Sequence, residues 1–343
     1  MSLRIDKARF VASRRHVLGA SLLALATTPF AQTGAPRPAA APRPAAVPWP
    51  TKPVKILVGF PGGSTPDVAA RILADGLSKS LGQTVVVENR PGASGNIAAD
   101  LVAKAVDDHT FGLVINGNLS SAKLLNPKLP FDPVKDLSML SLVASAPLVL
   151  VTQPDKPSGD QFFLSARNAG EKWNYGSVGI GSVGHLGMEL LKSRAGNFAA
   201  THVPYQGNPA VITALLTGDV QMSLIPPGLA LPQIAAGKLK AVGLTTGRST
   251  LAPDIPPLTE AGVRGYDLDV FVALVGPAKL NPAAQTRMAD AASSIARAPE
   301  MRQRFFNAGW QPVGGSPEGL KMRVRNETNL LGGIIMMRGI KLE

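Results

Sequence analysis

Phe60-Pro61-Gly62-Gly63-Ser64-Thr65-Pro66-Asp67 is a glycine-rich turn set between an apolar run and a helical pattern. Ahead of it, Val54-Lys55-Ile56-Leu57-Val58 reads as a short buried strand. Behind it, Val68, Ile72, Leu73, Leu77 and Leu81 recur at helical spacing, so a helix is expected to open near Pro66 or Asp67. A strand that ends in such a turn and opens a helix forms an anion site. Its glycines let a ligand approach the backbone, and the N–H groups of the first helical turn point outward. Many α/β proteins carry such a turn with nothing bound. Here it gains weight from a second loop of the same kind and from the segment that precedes both.

Ser13-Arg14-Arg15-His16-Val17-Leu18 pairs two arginines ahead of an apolar stretch that runs to Ala26. That is the layout of a twin-arginine export signal over residues 1–31, although Pro29-Phe30-Ala31 matches a small-x-small cleavage site poorly. The stretch is too short for a permanent membrane span. Residues 32–48 are mostly Ala, Pro and Arg and are expected to form an extended tether. The expected location is the periplasm.

The formal charge of +12 raises the question of nucleic acid, but the first 46 residues carry +6 of it. The remaining basic residues are scattered, with few aromatics to stack on bases, so no nucleic-acid partner is expected. A modestly basic body suits an anionic small ligand better. With no cysteine, thiolate zinc sites, thiol nucleophiles and disulfides are excluded. Four histidines, one of them in the export signal, leave little for a metal cluster, so neither metal nor cofactor is expected.

From residue 49 onward, apolar runs alternate with amphipathic helical patterns. Strands are expected at 54–58, 84–87, 110–115, 142–151, 173–175, 201–203, 220–225, 241–245 and 269–275. Helices are expected at 67–81, 96–105, 159–168, 184–195, 209–217, 228–236, 282–298, 300–308 and 317–331. This order predicts an α/β protein with mostly parallel sheets flanked by helices. A body of nearly 300 residues predicts two lobes. The runs at 142–151 and 269–275 are long enough to cross between them. Lobe 1 is therefore assigned to 49–146 and 268–343, and lobe 2 to 147–267. Linkers near Ala146 and Tyr266 would absorb any rotation, and a ligand is expected in the cleft at the carboxyl ends of the strands.

The second loop is Gly176-Ser177-Val178-Gly179-Ile180-Gly181-Ser182-Val183-Gly184-His185, entered from Trp173-Asn174-Tyr175. Gly179, Gly181 and Gly184 spell a G-x-G-x-x-G dinucleotide pattern. That site also needs an acid about 20 residues on, and none lies between Glu189 and Asp219. No G-x-S-x-G nucleophile elbow is present either. A secreted hydrolase would need a base beside Ser177 or Ser182, and His185 is the candidate. A binding loop makes better use of the segment: hydroxyl donors, exposed N–H groups and the positive end of the following helix.

Read together, these motifs resemble the periplasmic solute receptors of tripartite tricarboxylate transporters, the Bug or TctC-type binding proteins. The resemblance rests on Trp49-Pro50-Thr51-Lys52-Pro53, the 60–67 turn with Arg71, and Val86-Val87-Glu88-Asn89-Arg90-Pro91-Gly92-Ala93-Ser94-Gly95-Asn96. It continues through Leu129-Pro130-Phe131-Asp132-Pro133, the 176–185 loop, Val203-Pro204-Tyr205-Gln206-Gly207, Ala236-Gly237-Lys238-Leu239 and Glu260-Ala261-Gly262. It implies a two-lobed Venus-flytrap fold that closes on a carboxylated solute without catalysis and hands it to membrane permease subunits. It also implies a monomer. A sensor that presents the ligand to a membrane signalling partner is the other role such a fold serves.

Carried over by position, Phe60, Gly63, Ser64, Thr65 and Asp67 fall in the first grip. Ser177, Gly179, Ser182, Val183 and His185 fall in the second. Asn118, Leu119 and Ser120 follow the third strand, Tyr205 lies toward the hinge side, and Ile225 ends a strand at the cleft. The chain departs from the family pattern in three places. Ser64-Thr65-Pro66 replaces a glycine-richer turn, Ile225-Pro226 stands where many members carry Asp-Asn, and Phe271 where tryptophan is frequent. Loss of that cleft carboxylate argues against a ligand amine. The expected solute is a mono- or dicarboxylate with an apolar or aromatic body.

Overall fold

A computed structural model describes residues 49–341. The expected export signal and tether, residues 1–48, lie outside the described residues. Lobe 1 opens with β1 (Val54–Val58), α1 (Thr65–Leu81), β2 (Val85–Asn89), α2 (Asn96–Ala103) and β3 (Thr110–Ile115). Two short helices follow, α3 (Asn116–Ser120) and α4 (Ala122–Leu125). The long β4 (Leu137–Pro147) then passes almost directly into β5 (Val149–Thr152) of the second sheet. There the chain winds through α5 (Gly159–Ala169), β6 (Asn174–Ser177), α6 (Val183–Arg194), β7 (Thr201–Pro204), α7 (Asn208–Thr217), β8 (Met222–Ile225), α8 (Pro227–Ala235) and β9 (Lys240–Leu244). It returns along β10 (Asp269–Pro277) and finishes with α9 (Pro282–Arg297), α10 (Pro299–Asn307), β11 (Gln311–Pro312) and α11 (Pro317–Arg338).

The result is a two-lobed α/β fold with a six-stranded sheet ordered β11-β4-β10-β3-β1-β2 and a five-stranded sheet ordered β7-β6-β8-β5-β9. The sheets are mixed rather than mostly parallel. β1 pairs in parallel with β2 and β3, and β6 with β7 and β8. The pairings β3–β10, β4–β10, β4–β11, β5–β8 and β5–β9 are antiparallel. The crossing accounts for all of these except β4–β11. β5 starts beside the end of β8, with Val149 opposite Ile225, and β10 starts beside the end of β3, with Val272 opposite Ile115. A strand that has just crossed leaves the cleft, so it runs against neighbours that arrive there.

The turn that opened the sequence reading becomes the start of α1. Ser64 is its extended N-cap residue (φ −69°, ψ 159°), Pro66 sits in the first turn, and Gly82 closes the helix in the left-handed region at φ +68°. Val54, Ile56 and Val58 are buried with Leu73 and Leu77 of α1, as the alternation of strand and helix faces requires. The carboxyl-terminal helix runs seven residues beyond the expected end at Leu331. Leu320 and Val324 near its start pack with Phe271 and Val275 of lobe 1, while Leu331, Ile334 and Ile335 join the core of lobe 2. α11 therefore lies against both lobes.

Candidate functional site

Three helix N-termini converge on a small chamber of about 40 Å³ between the lobes. Ser64, Thr65 and Pro66 come from the start of α1, Gly207 and Asn208 from the start of α7, and Pro226 from the residue before α8. Phe60, Ile115, Val178, Val270 and Trp310 complete the wall. Each helix start brings a partial positive charge, and no lysine or arginine lines the space. Asn208 Nδ2 donates to Thr65 Oγ1 across the lobes at 3.1 Å, and Trp310 Nε1 donates to the Thr65 carbonyl at 3.3 Å. Ser64 is 1% exposed, and its buried hydroxyl has no hydrogen-bond partner. A buried hydroxyl in that condition costs free energy until an acceptor or donor reaches it.

Phe60, Ile115 and Val178 are also walls of a second, larger space, an outer cleft of about 610 Å³. The residues around Ser94, Asn118 and Leu125 line one side of it, and Gly179, Ser182 and Tyr205 the other. The lobes are tied together beside it. Ser121 Oγ donates to the Gly181 carbonyl at 2.7 Å, and Ser94 Oγ to the Ile180 carbonyl at 3.1 Å. Ser94 lies in a strained run in which Gly92, Ala93, Ser94 and Gly95 all have positive φ, at 131°, 47°, 54° and 92°. Gly179 (φ +128°) admits the contact, since a Cβ there would lie 2.1 Å from Ser94 Oγ. Backbone strain of this kind gathers where a ligand clamp or switch is held by its surroundings.

Behind the second loop lies a buried polar core. The His185 and His202 rings stack with centroids 3.9 Å apart, and Ser177 Oγ lies 2.7 Å from His202 Nε2. His185 Nδ1 accepts from the Gly181 N–H at 3.1 Å, and Tyr175 donates to Glu189 at 2.6 Å. Burial, helped by nearby Lys192, pulls the His185 pKa down to about 4. Burial and the neighbouring His185 pull His202 down to about 3. Both rings are neutral at ordinary pH. The base beside Ser177 is thus His202, not His185 as expected. Ser177 is buried and lines neither space.

The expected site residues divide sharply. Phe60, Ser64 and Thr65 line the inner chamber, while Phe60, Asn118, Gly179, Ser182 and Tyr205 line the outer cleft. The others serve the frame. Asp67 accepts from Arg71 at 3.0 Å, Asn89 at 2.8 Å and the Gly63 N–H at 2.9 Å, which fixes the first turn. Burial alone would raise its pKa; the bonds from Arg71, Asn89 and Gly63 outweigh it and hold the carboxyl below the ordinary range. Leu119, Val183 and Ile225 are core residues. Ser120 donates to the Asn116 carbonyl at 2.7 Å and lies 3.2 Å from Glu327 Oε1. Phe271, expected to bear on the solute, is fully buried in lobe 1 beneath the Arg323 guanidinium, 5.6 Å from its ring.

Sequence reasoning did not place Asn208 or Trp310 at the site, and it noted Pro226 only for the carboxylate that is missing there. The Gly207-Asn208-Pro209 spelling was a legible helix start of the same type as the first turn. Trp310 meets Thr65 across 245 residues of chain, and no local pattern announces that. Among the described residues, no group of three or more His, Cys, Asp or Glu is placed to hold a metal ion, and no helix is long and apolar enough to cross a membrane.

Comparison with known proteins points in one direction. Residues 69–340 match the family described as tripartite tricarboxylate transporter family receptor. A UPF0065 protein of Bordetella pertussis is 32% identical over 297 residues, 85% of this chain and 91% of its own. BugT of the same organism is 31% identical over 303 residues, 86% of this chain and 92% of its own. Among solved structures, R. palustris Rpa4515 with adipate superposes with a TM-score of 0.81 at 29% identity, over 86% of this chain and 99% of that one. MatC of Rhodopseudomonas palustris with bound malate gives 0.78 at 27% identity, over 84% of this chain and 100% of that one.

Proposed function

The chain belongs to the tripartite tricarboxylate transporter receptor family, and from that premise we propose that it is an exported receptor for a small organic carboxylate. It captures the solute between its lobes in the periplasm and delivers it to the permease subunits of a tripartite transporter. Members of this family are solute-binding receptors rather than enzymes. The observation that carries the proposal is the Ser64 hydroxyl, buried without a partner in the wall of a chamber where three helix N-termini meet. A carboxylate oxygen supplies what that hydroxyl lacks. Each helix terminus adds about 0.3–1 kcal/mol toward an anion at the surface and up to about 2 when partly buried. With several hydrogen bonds of about 0.5–1.5 kcal/mol each, the sum reaches the roughly −8 kcal/mol of a micromolar complex without any fixed cation.

On this proposal residues 49–146 and 268–343 form one lobe and 147–267 the other, with rotation taken up near Ala146 and Tyr266. The absence of a carboxylate at Ile225-Pro226 disfavours amino acids, whose ammonium group would find no partner there. The test is a thermal-shift screen of the mature protein against carboxylic acids. A true ligand at a hundred times its Kd stabilises by about 2.7 kcal/mol. A clear shift with at least one acid, and none with glutamate or aspartate, is expected; no shift with any acid overturns the proposal.

A further inference from the structure

Building on the receptor function just proposed, we infer that the solute is an amphipathic monocarboxylate whose head enters the inner chamber while its apolar body lies in the outer cleft. Size makes the first half of the case. The inner chamber, at about 40 Å³, is about one fifteenth the size of the outer cleft. It suits the small head of a ligand rather than its body. The outer cleft, at about 610 Å³, has the volume of a small-molecule site. The two share Phe60, Ile115 and Val178, so a molecule anchored on Ser64 and extended past the Phe60 ring emerges into the larger space.

Chemistry makes the second half. Pro91, Ile97, Leu101, Leu125, Leu129 and Pro130 line the outer cleft. Ile97 and Leu101 stand on α2 with 47% and 43% of their surface exposed, apolar area that a hydrocarbon body would cover. No lysine, arginine or histidine lines either space. The one charged lining residue is an acid, Asp100, already bound to Lys104 at 2.7 Å. A second carboxylate on the solute would lose water in a cleft whose polar lining is neutral, hydroxyls and amides such as Ser94, Asn96, Asn126 and Gln206, and would meet Asp100 there. The same cleft takes a straight alkyl chain or a flat ring without that cost.

The test is calorimetric titration of the mature protein with butanoate, hexanoate, octanoate and benzoate, set against succinate, adipate, suberate and phthalate. Affinity is expected to rise about fourfold for each methylene added to the monocarboxylates, the equivalent of about 0.8 kcal/mol. Each dicarboxylate should bind at least about tenfold more weakly than the monocarboxylate of its length, because of the unpaired buried charge. In Leu101→Glu and Ile97→Glu, both at exposed positions, the ratio of octanoate to butanoate affinity should collapse while the melting temperature holds. Tighter binding of the dicarboxylates, or affinity that does not change with chain length, overturns this inference and leaves the receptor function standing. Binding of no acid at all overturns both.

Discussion

Ser64 shows how much one atom can specify. Its backbone caps α1, its hydroxyl is buried and unpartnered, and the residue lines the inner chamber. Ser64→Ala removes a hydroxyl that makes no bond in the unliganded protein. The melting temperature should therefore hold or rise slightly. Solute affinity should fall about 10- to 100-fold, as expected for a hydrogen bond to a charged group of about 1.5–3 kcal/mol. Titration calorimetry beside thermal unfolding separates the two effects. Asp67, three residues on, has the opposite profile. Its carboxylate is fully committed to Arg71, Asn89 and Gly63, so replacing it loosens the turn rather than a direct solute contact.

At the level of elements, the first turn and most strands and helices of both lobes were legible, because strand alternation and helical spacing are local signals. The run expected as one strand at 142–151 is instead the end of β4 and most of β5, which lie in different sheets, and β11 was not foreseen. Val54–Val58 and Thr110–Ile115 have the expected limits. The antiparallel pairings were not legible, since they follow from where β5 and β10 begin after crossing, a property of topology rather than of any run of residues. The short helices α3 and α4 were hidden by Asn116-Gly117-Asn118, which reads as a turn. They matter, because Ser121 between them holds the Gly181 carbonyl of the opposite lobe. Ser121→Ala deletes one interlobe bond of about 0.5–1.5 kcal/mol. Closure and binding share one equilibrium, so apparent solute affinity should drop about 2- to 10-fold. The unliganded protein should show a larger radius of gyration in small-angle scattering, and saturating solute should restore the compact value.

Over the whole molecule, two sets of buried groups answer pH with opposite sign. His185 and His202 titrate near 4 and 3 in the fold, below the usual histidine value of 6.5. The unfolded chain therefore binds more protons, and their contribution is complete above about pH 6.5 and lost as pH falls through about 4 toward 3. Glu327 is raised by burial from 4.5 to about 7, against the pull of Arg323. Here the folded form binds more protons, so stability is gained as pH falls through 7 toward 4.5. The two trends oppose each other across the mildly acidic range. Glu327→Gln removes the second, so the variant should be more stable than the parent at about pH 8, by of order 1–3 kcal/mol, and should lose stability more steeply on acidification. Chemical denaturation across that range measures both.

The chamber without cations also bears on the medium in which the protein works. Screening by dissolved salt weakens attractions between charges that face solvent, and acts far less on buried ones. If the anion is gripped as proposed, by hydroxyls and sheltered helix ends with no arginine or lysine lining the chamber, salt has little to screen. Capture would then depend on how much solute is present and hardly at all on ionic strength. That independence suits a protein working in a compartment whose salinity follows the world outside the cell.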